Sequence, residues 1–346
     1  MRRSKSSSTP MPKRNKKISP RSRRAHVLLT LATFFVGGVV SACVTLAYVF
    51  VAYPSFHVVR PSVAGASAEL WVAPVRQPGS ASAPTVSAPA GLLIDVETGA
   101  ILWERAATNM RPLASLTKLI TTSAYLATAP ALDARFSIPA DFHTNGIAEV
   151  VEPGTGISKL DVSAGERVTY RDLLAASLIG SANNASLALA RSAGLTANEL
   201  QQFAVGHGGR TVQVVEASGL EPGNVGSAQD VAVLAHVAFS NPTLQSLAGQ
   251  ASYHVTTSGG RGFTVRTTNA LIGKVGYSIV AGKTGYLDEA GYNLVVQARQ
   301  ADHGLLLVLL GSPTSDDRFA DADAMLRWGF DAFAWQVVRE GSMLSL

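Results

Sequence analysis

Arg111-Pro-Leu-Ala-Ser-Leu-Thr-Lys-Leu-Ile-Thr-Thr122 decides the reading of this chain, because it sets a serine hydroxyl and a lysine amine one helical turn apart. After Pro112, residues Leu113, Leu116, Leu119 and Ile120 recur at helical spacing, and no breaker follows until Pro130. The pattern predicts an apolar, buried helix with Ser115 in its first turn and Lys118 as its i+3 neighbour. A serine hydroxyl becomes an effective nucleophile when a base takes its proton, and a lysine is such a base only where it is partly neutral. Burial and a second nearby cation both lower a lysine pKa. Backbone N–H groups at a helix N-terminus stabilise negative charge developing beside Ser115. The tetrad alone is also what an ordinary amphipathic helix with an exposed lysine looks like.

The chain has 346 residues, 47% of them hydrophobic, enough for one large domain or two small ones. Its net charge of +5 comes from the first 26 residues, which hold ten basic and no acidic side chains. The remainder carries 19 basic against 24 acidic residues, so the high pI is no argument for nucleic-acid binding. A single cysteine, Cys43, excludes an internal disulfide framework and a cysteine-built zinc site. No two of the seven histidines have ligand spacing on one helix face, so neither metal nor cofactor is expected.

Four segments follow from composition. Residues 1–26 read as a basic, solvated cytoplasmic tail. Residues 27–53 are 27 consecutive uncharged, mostly apolar residues, long enough for a signal anchor that leaves the rest of the chain extracytoplasmic. A cleaved signal peptide, or lipidation of Cys43 in Val40-Ser-Ala-Cys43, are the alternatives; the apolar run continuing to Ala52 opposes both. Residues 54–89, with Pro54, Pro61, Pro74, Pro78, Pro84 and Pro89 among Ser, Ala and Gly, read as a tether. The catalytic domain is expected over 90–346.

Within that domain the apolar runs around Glu97-Thr-Gly99 predict a β-hairpin. Helices are expected over 168–179, 184–193 and 228–239, the last capped by Ser227 with Asp230 three residues on. Strands are expected at 278–284, 292–298 and 305–310, and a closing helix at 317–333. The expected fold is therefore α+β, one antiparallel sheet built from both ends of the domain with a helical region inserted.

Two further motifs sharpen the tetrad: Ser181-Ala-Asn183, in a turn between predicted helices, and Lys283-Thr-Gly285, on or beside a predicted strand. Ser-x-x-Lys, Ser-x-Asn and Lys-Thr-Gly in this order resemble the penicillin-recognising serine enzymes with their β-lactamase/transpeptidase-like fold. Leu173-Leu-Ala-Ala-Ser-Leu-Ile-Gly-Ser-Ala-Asn-Asn-Ala-Ser, Ser218-Gly-Leu with Ser227-Ala-Gln-Asp230, and Gly282-Lys-Thr-Gly-Tyr with Ala290-Gly-Tyr-Asn-Leu-Val resemble the low-molecular-weight penicillin-binding proteins, the serine-type D-Ala-D-Ala carboxypeptidases. The resemblance covers roughly residues 90–334.

It implies that Ser115 attacks the carbonyl between two D-alanines, Lys118 accepts its proton and Ser181 relays a proton to the leaving amine. Asn183 would bind the substrate peptide, and Lys283 would keep the field positive, depress the Lys118 pKa and receive the terminal carboxylate with Thr284. Gly285 would let the substrate backbone lie against the strand, and the N–H groups of Ser115 and Tyr286 would form the oxyanion hole. Arg318 matches an arginine facing the carboxylate, against the plain alternative of a surface arginine among Asp316, Asp317 and Asp321. The resemblance further implies peptidoglycan stem peptides ending in D-Ala-D-Ala as substrate and β-lactams as covalent inhibitors.

The chain departs from the family pattern in two places. It ends about a dozen residues beyond Phe333, so the second β-rich domain of many members is expected to be absent. Gly206-His-Gly-Gly-Arg210 stands where a helix and its asparagine are usual. Asn293 is expected to be a hydrogen-bonding residue at a strand end. Besides a carboxypeptidase, a D,D-endopeptidase, a β-lactamase and a non-catalytic binder of cell-wall peptide are open. No Glu-x-x-Leu-Asn follows Ser181, Glu216 being followed by Ala-Ser-Gly-Leu, so a lasting penicillin adduct is expected rather than its hydrolysis.

Overall fold

A computed structural model of the chain describes residues 69–142, 159–274 and 276–339. The basic tail, the apolar segment 27–53, Cys43 and His143 lie outside the described residues. Among the described residues no helix is long and apolar enough to cross a membrane.

Leu305-Leu-Leu-Val-Leu-Leu310 and Ala90-Gly-Leu-Leu-Ile94 are apolar on successive residues, the pattern of strands covered on both faces. They pair at the middle of the main sheet. In chain order, β1 (Glu69–Arg76) precedes the expected hairpin of β2 (Ala90–Asp95) and β3 (Ile101–Arg105). Short antiparallel pairs follow: β4 (Arg111–Pro112) with β7 (Val225–Gly226), β5 (Arg135–Ser137) with β6 (Arg167–Thr169), and β8 (Ser252–Thr256) with β9 (Gly262–Arg266). Then come β10 (Ser278–Leu287), β11 (Gly291–Gln300) and β12 (His303–Ser312), and finally β13 (Phe333–Arg339). The main sheet runs β10-β11-β12-β2-β3, antiparallel throughout, which leaves the Lys283-Thr-Gly strand at an edge.

The inserted helices are α1 (Thr117–Ala127), α2 (Tyr170–Leu178), α3 (Asn183–Ser192), α4 (Ala197–Gly206), α5 (Ala228–Ser240) and α6 (Pro242–Ala248), and α7 (Ser315–Ala332) follows the sheet. Strand alternation divides the core. Leu93, Leu305, Leu307 and Leu309 face α7 with Met325 and Leu326, while Leu92, Ile94, Leu306 and Val308 pack with Val231 and Ala235 of α5. This is the α+β arrangement that the sequence pattern predicts.

Four differences have physical causes. Residues 69–89, expected in the tether, are part of the fold: β1 pairs with β13, Val86 and Ala88 are buried, and Trp328 Nε1 donates to the Ala81 carbonyl at 2.8 Å. An extended, proline-rich stretch has no apolar period to reveal such docking. Helix α2 starts at Tyr170 rather than 168 because Thr169 caps it in a reciprocal box with Asp172. Helix α4, which the sequence reading missed, buries only Leu200 and Ala204 and so carries little apolar pattern. The missed hairpin β8–β9 is mostly exposed on both strands.

Ser227 caps α5 as expected, its Oγ accepting from the Asp230 N–H at 3.1 Å while Asp230 Oδ2 accepts from the Ser227 N–H at 2.8 Å. Ser227→Ala is expected to lower the unfolding free energy by about 1 kcal/mol, seen as a lower urea midpoint at unchanged slope.

Candidate active site

Ser115 does not lie in the first turn of the α-helix, as expected, but in a 3-10 turn, Ala114–Leu116, immediately before α1. Ala114 has φ +48, a left-handed backbone no α-helix admits, so regular helix cannot begin until after it. Several neighbours hold that conformation. The Leu113 N–H donates to the Asn224 carbonyl at 2.8 Å, and Asn293 Nδ2 donates to the carbonyls of Pro112 at 2.9 Å and Leu113 at 3.2 Å. Asn293 therefore anchors the approach to Ser115, and its Oδ1 accepts from the Gly311 N–H at 2.8 Å. Gly219, at φ +85, lies so close that a Cβ on it would stand 1.9 Å from the Ala114 carbonyl oxygen. A Cβ on Gly285 would stand 3.2 Å from the Ser115 nitrogen. A side chain on Gly285 would thus crowd the nucleophile's own turn, which presses on the strand here.

Lys118 is fully buried. Its Nζ lies 2.8 Å from Ser115 Oγ, 2.7 Å from Asn183 Oδ1 and 2.5 Å from the Ser218 carbonyl oxygen. Burial lowers its pKa from 10.5 to about 7, and the nearby Glu216 charge offsets part of that fall. Burial is the largest cause of that fall. A neutral amine has two N–H bonds and one lone pair. Two of the three partners are carbonyl-type oxygens that can only accept, so the lone pair is left for the Ser115 hydroxyl.

Lys283, also buried, points elsewhere: its Nζ donates to Ser181 Oγ and to the Thr284 carbonyl, both at 2.7 Å. Ser181 occupies the turn between α2 and α3 at φ +58, a second strained non-glycine residue. Asn183, expected in that turn, is the first residue of α3. Thr284 Oγ1 lies 2.5 Å from Thr268 Oγ1. Tyr286 lies at the end of β10, its ring tilted against Tyr292 with centroids 4.4 Å apart, and its hydroxyl donates to Asp288 Oδ1 at 2.6 Å, which pushes its pKa up to about 12.

Arg318 is not a surface residue. It is fully buried, its guanidinium 4.3 Å from the Phe319 ring centre and 5.3 Å from that of Tyr292. It donates to the Asn293 carbonyl at 3.3 Å and the Gly285 carbonyl at 3.5 Å, which places its charge against the strand that carries Lys283-Thr-Gly.

The fold therefore gathers these residues from three separate parts of the sequence as two hydrogen-bonded groups, Ser115–Lys118–Asn183 and Ser181–Lys283–Thr284, joined through the Ser181-Ala-Asn183 main chain. The profile of the Peptidase S11 family, D-alanyl-D-alanine carboxypeptidase, matches residues 77–314. The chain belongs to that family. It is a serine hydrolase of the D-Ala-D-Ala carboxypeptidase class, and family members act on D-Ala-D-Ala peptides of peptidoglycan and bind β-lactams. Among similar proteins, the D-alanyl-D-alanine endopeptidase of Pseudomonas aeruginosa is 30% identical over 244 residues, 68% of this chain and 75% of its own. The D-alanyl-D-alanine carboxypeptidase DacD of Escherichia coli K12 is 27% identical over 278 residues, 76% of this chain and 69% of its own. A point mutant of the Streptomyces K15 DD-transpeptidase superposes with TM-score 0.65 at 25% identity, covering 71% of this chain and 99% of its own. The D-alanyl-D-alanine carboxypeptidase of Mycobacterium tuberculosis H37Rv shares the fold, with TM-score 0.66 at 22% identity over 78% of this chain and all of its own. These neighbours bear out the β-lactamase/transpeptidase-like fold that the three motifs imply.

The sequence reading assigned no role to the Ser218 carbonyl, Thr268 or Asn224. A main-chain oxygen carries no residue-type signal, and nothing in Arg266-Thr-Thr-Asn269 separates Thr268 from any polar loop residue.

Gly219→Ala forces a Cβ into the Ala114 carbonyl at a positive φ. The expected outcome is a loss of more than about 1 kcal/mol in stability and a reaction of Ser115 with fluorescent penicillin slowed about 100-fold. Thr268→Val, which keeps the shape but removes the partner of the Thr284 hydroxyl, is expected to raise KM for a D-Ala-D-Ala peptide several-fold, about 1 kcal/mol, with a smaller effect on kcat.

Proposed function

We propose that this enzyme removes the terminal D-alanine from peptidoglycan stem peptides through an acyl-enzyme on Ser115. The observation that carries the reading is the buried Lys118 amine, 2.8 Å from Ser115 Oγ and held by two acceptor oxygens at 2.7 and 2.5 Å. Ser115 Oγ attacks the carbonyl carbon between the two D-alanines as its proton passes to Lys118. The N–H groups of Ser115 and Tyr286 receive the oxyanion. The C–N bond then breaks, and Ser181, backed by Lys283, relays to the departing amine the proton that Lys118 took from Ser115, so Lys118 and Ser181 return to their starting protonation. Water hydrolyses the ester and returns Ser115 to its starting state.

Thr284 and Lys283 receive the substrate carboxylate, with Arg318 adding positive potential from beside the Gly285 and Asn293 carbonyls. Asn183 Oδ1 is committed to Lys118, which leaves its Nδ2 for a peptide carbonyl. Glu216, the carboxylate whose charge acts on the lysine, already accepts from the Ser218 N–H at 2.6 Å and from Asn224 Nδ2 at 2.6 Å. It is therefore a poor candidate for activating a deacylating water, which supports a lasting penicillin adduct over β-lactamase turnover. The similarity to an endopeptidase at 30% identity favours a second reading, in which the departing amine belongs to a cross-linked stem peptide.

The purified full-length protein is given a fluorescent penicillin, a diacetylated tripeptide ending in D-Ala-D-Ala, or a cross-linked muropeptide dimer. An adduct absent in Ser115→Ala, together with D-alanine release, supports the carboxypeptidase; an adduct with cleavage of the dimer alone supports the endopeptidase. No adduct with the intact protein would sink the role of Ser115. Because the Lys118 pKa is lowered to about 7, the base is present above that pH and lost below it. Penicillin acylation is expected to fall about tenfold per pH unit below a midpoint near 7 and to level off above it.

The same reading keeps residues 27–53 as a membrane anchor with the catalytic body extracytoplasmic, on the strength of 27 uncharged residues after a tail with ten basic ones. Co-fractionation with membranes that survives deletion of 27–53 would remove that support.

A further inference from the structure

The turn from Glu216 to Asn224 touches the nucleophile's machinery at three points. Its Ser218 carbonyl accepts from Lys118 Nζ, its Gly219 packs under the Ala114 carbonyl, and its Asn224 carbonyl accepts from the Leu113 N–H. The centre of this turn is one carboxylate. Glu216 Oε2 accepts from the Ser218 N–H at 2.6 Å and from Ser218 Oγ at 2.7 Å. Glu216 Oε1 accepts from Asn224 Nδ2 at 2.6 Å, from the Gly219 N–H, and from the Glu221 N–H at 3.5 Å. Asn224 Oδ1 closes the other side, accepting from the Val215 N–H at 2.8 Å. So many converging donors suit a carboxylate, whose two oxygens offer about four lone-pair sites, and a side-chain amide would accept at only one oxygen.

We propose that Glu216 is a positioning residue for Lys118: its carboxylate fixes the turn whose Ser218 carbonyl aims the amine at Ser115, and its charge stabilises the ammonium formed when Lys118 takes the proton. The inference rests on the reading of Ser115 as nucleophile and Lys118 as base. The two functions of Glu216 are separable. The hydrogen bonds set where the Ser218 oxygen stands, which decides the direction of the lysine lone pair. The negative charge acts on the buried lysine against desolvation, in the direction that raises its proton affinity. A base buried without such compensation would release its proton too readily to accept one well, since a general base works best with a pKa near the working pH.

Other charged groups near this pair, among the described residues, are Lys283, Asp141, Arg191 and Glu221. Lys283 is turned to Ser181 and the Thr284 carbonyl. Asp141 and Arg191, which line a cavity with Glu216, are paired to each other at 3.0 Å. Glu221 meets Glu216 through its backbone N–H.

The test measures the rate constant for acylation by fluorescent penicillin from pH 5 to 9 on the full-length protein, with Glu216→Gln and Glu216→Asp beside the parent. Circular dichroism first fixes a temperature at which each is folded. Glu216→Gln removes the charge, so its midpoint is expected to move to lower pH while the plateau falls about tenfold. Glu216→Asp keeps the charge on a shorter arm, so its midpoint stays and only the plateau falls. A Glu216→Gln midpoint equal to the parent's overturns the proposal whatever the plateau, because a merely structural loss scales the rate at every pH alike. Should Glu216→Gln not fold, Glu216→Asp decides: a lower plateau in the folded protein supports the positioning role, and an unchanged plateau overturns it. Failure of the underlying reading looks different, since Ser115→Ala would then still form the adduct.

Discussion

The removal of one amine from water organises this molecule. Burying a lysine as an ammonium costs several kcal/mol even after the protein relaxes. Here Lys118 is fully buried, and the consequence is a pKa near 7 rather than 10.5. What would be a defect in a structural core is the source of the chemistry, because a lysine that gives up its proton at neutral pH can take one from a serine. Helix α1 supplies the amine, the 3-10 turn before it supplies the nucleophile, α3 supplies Asn183, and the Glu216–Asn224 turn supplies the Ser218 carbonyl.

A second constraint is backbone strain beside the reacting groups. Ala114 and Ser181 both hold positive φ, at about 1–3 kcal/mol each for residues with a Cβ. Each directly precedes or carries a functional hydroxyl. Such conformations persist where their surroundings over-determine them, and around Ala114 the determinants are visible: Asn293, Gly219, Gly285 and the Asn224 carbonyl close on it from β11, β10 and the turn. Leu287 and Ala290 pack against Ala114 to form a small apolar cluster at the same place. Strand β10 ends the main sheet among the described residues, and Gly285 on it packs against the Ser115 turn.

The two lysines divide the work. Each serine hydroxyl has its own amine, Ser115 with Lys118 at 2.8 Å and Ser181 with Lys283 at 2.7 Å. Both amines are buried, yet their remaining partners differ: Lys118 is held by a side-chain amide and a distant main-chain carbonyl, Lys283 by the carbonyl of the next residue. Desolvation is the largest cause of the low Lys118 proton affinity, with the Glu216 carboxylate as an opposing charge.

The sequence by itself determined the three motifs, the hairpin at 90–105, the apolar strands of the sheet and the capped helix α5, because each depends on residue types at short spacing. Apolar runs set which strands are covered on both faces, and Ser227 with Asp230 closes a local box. The elements that stayed hidden bury little or bond through main chain: α4 on the surface, the exposed β8–β9 hairpin, and residues 69–89 docked on α7 and β13. Only the tertiary structure decided that Ser115 precedes its helix, that Arg318 is buried against β10, and that a carbonyl a hundred residues away from Lys118 holds its amine. Proton affinity belongs to that second class for a physical reason. A lysine's letter fixes its pKa in water, and only the surroundings that remove the water fix it in the protein.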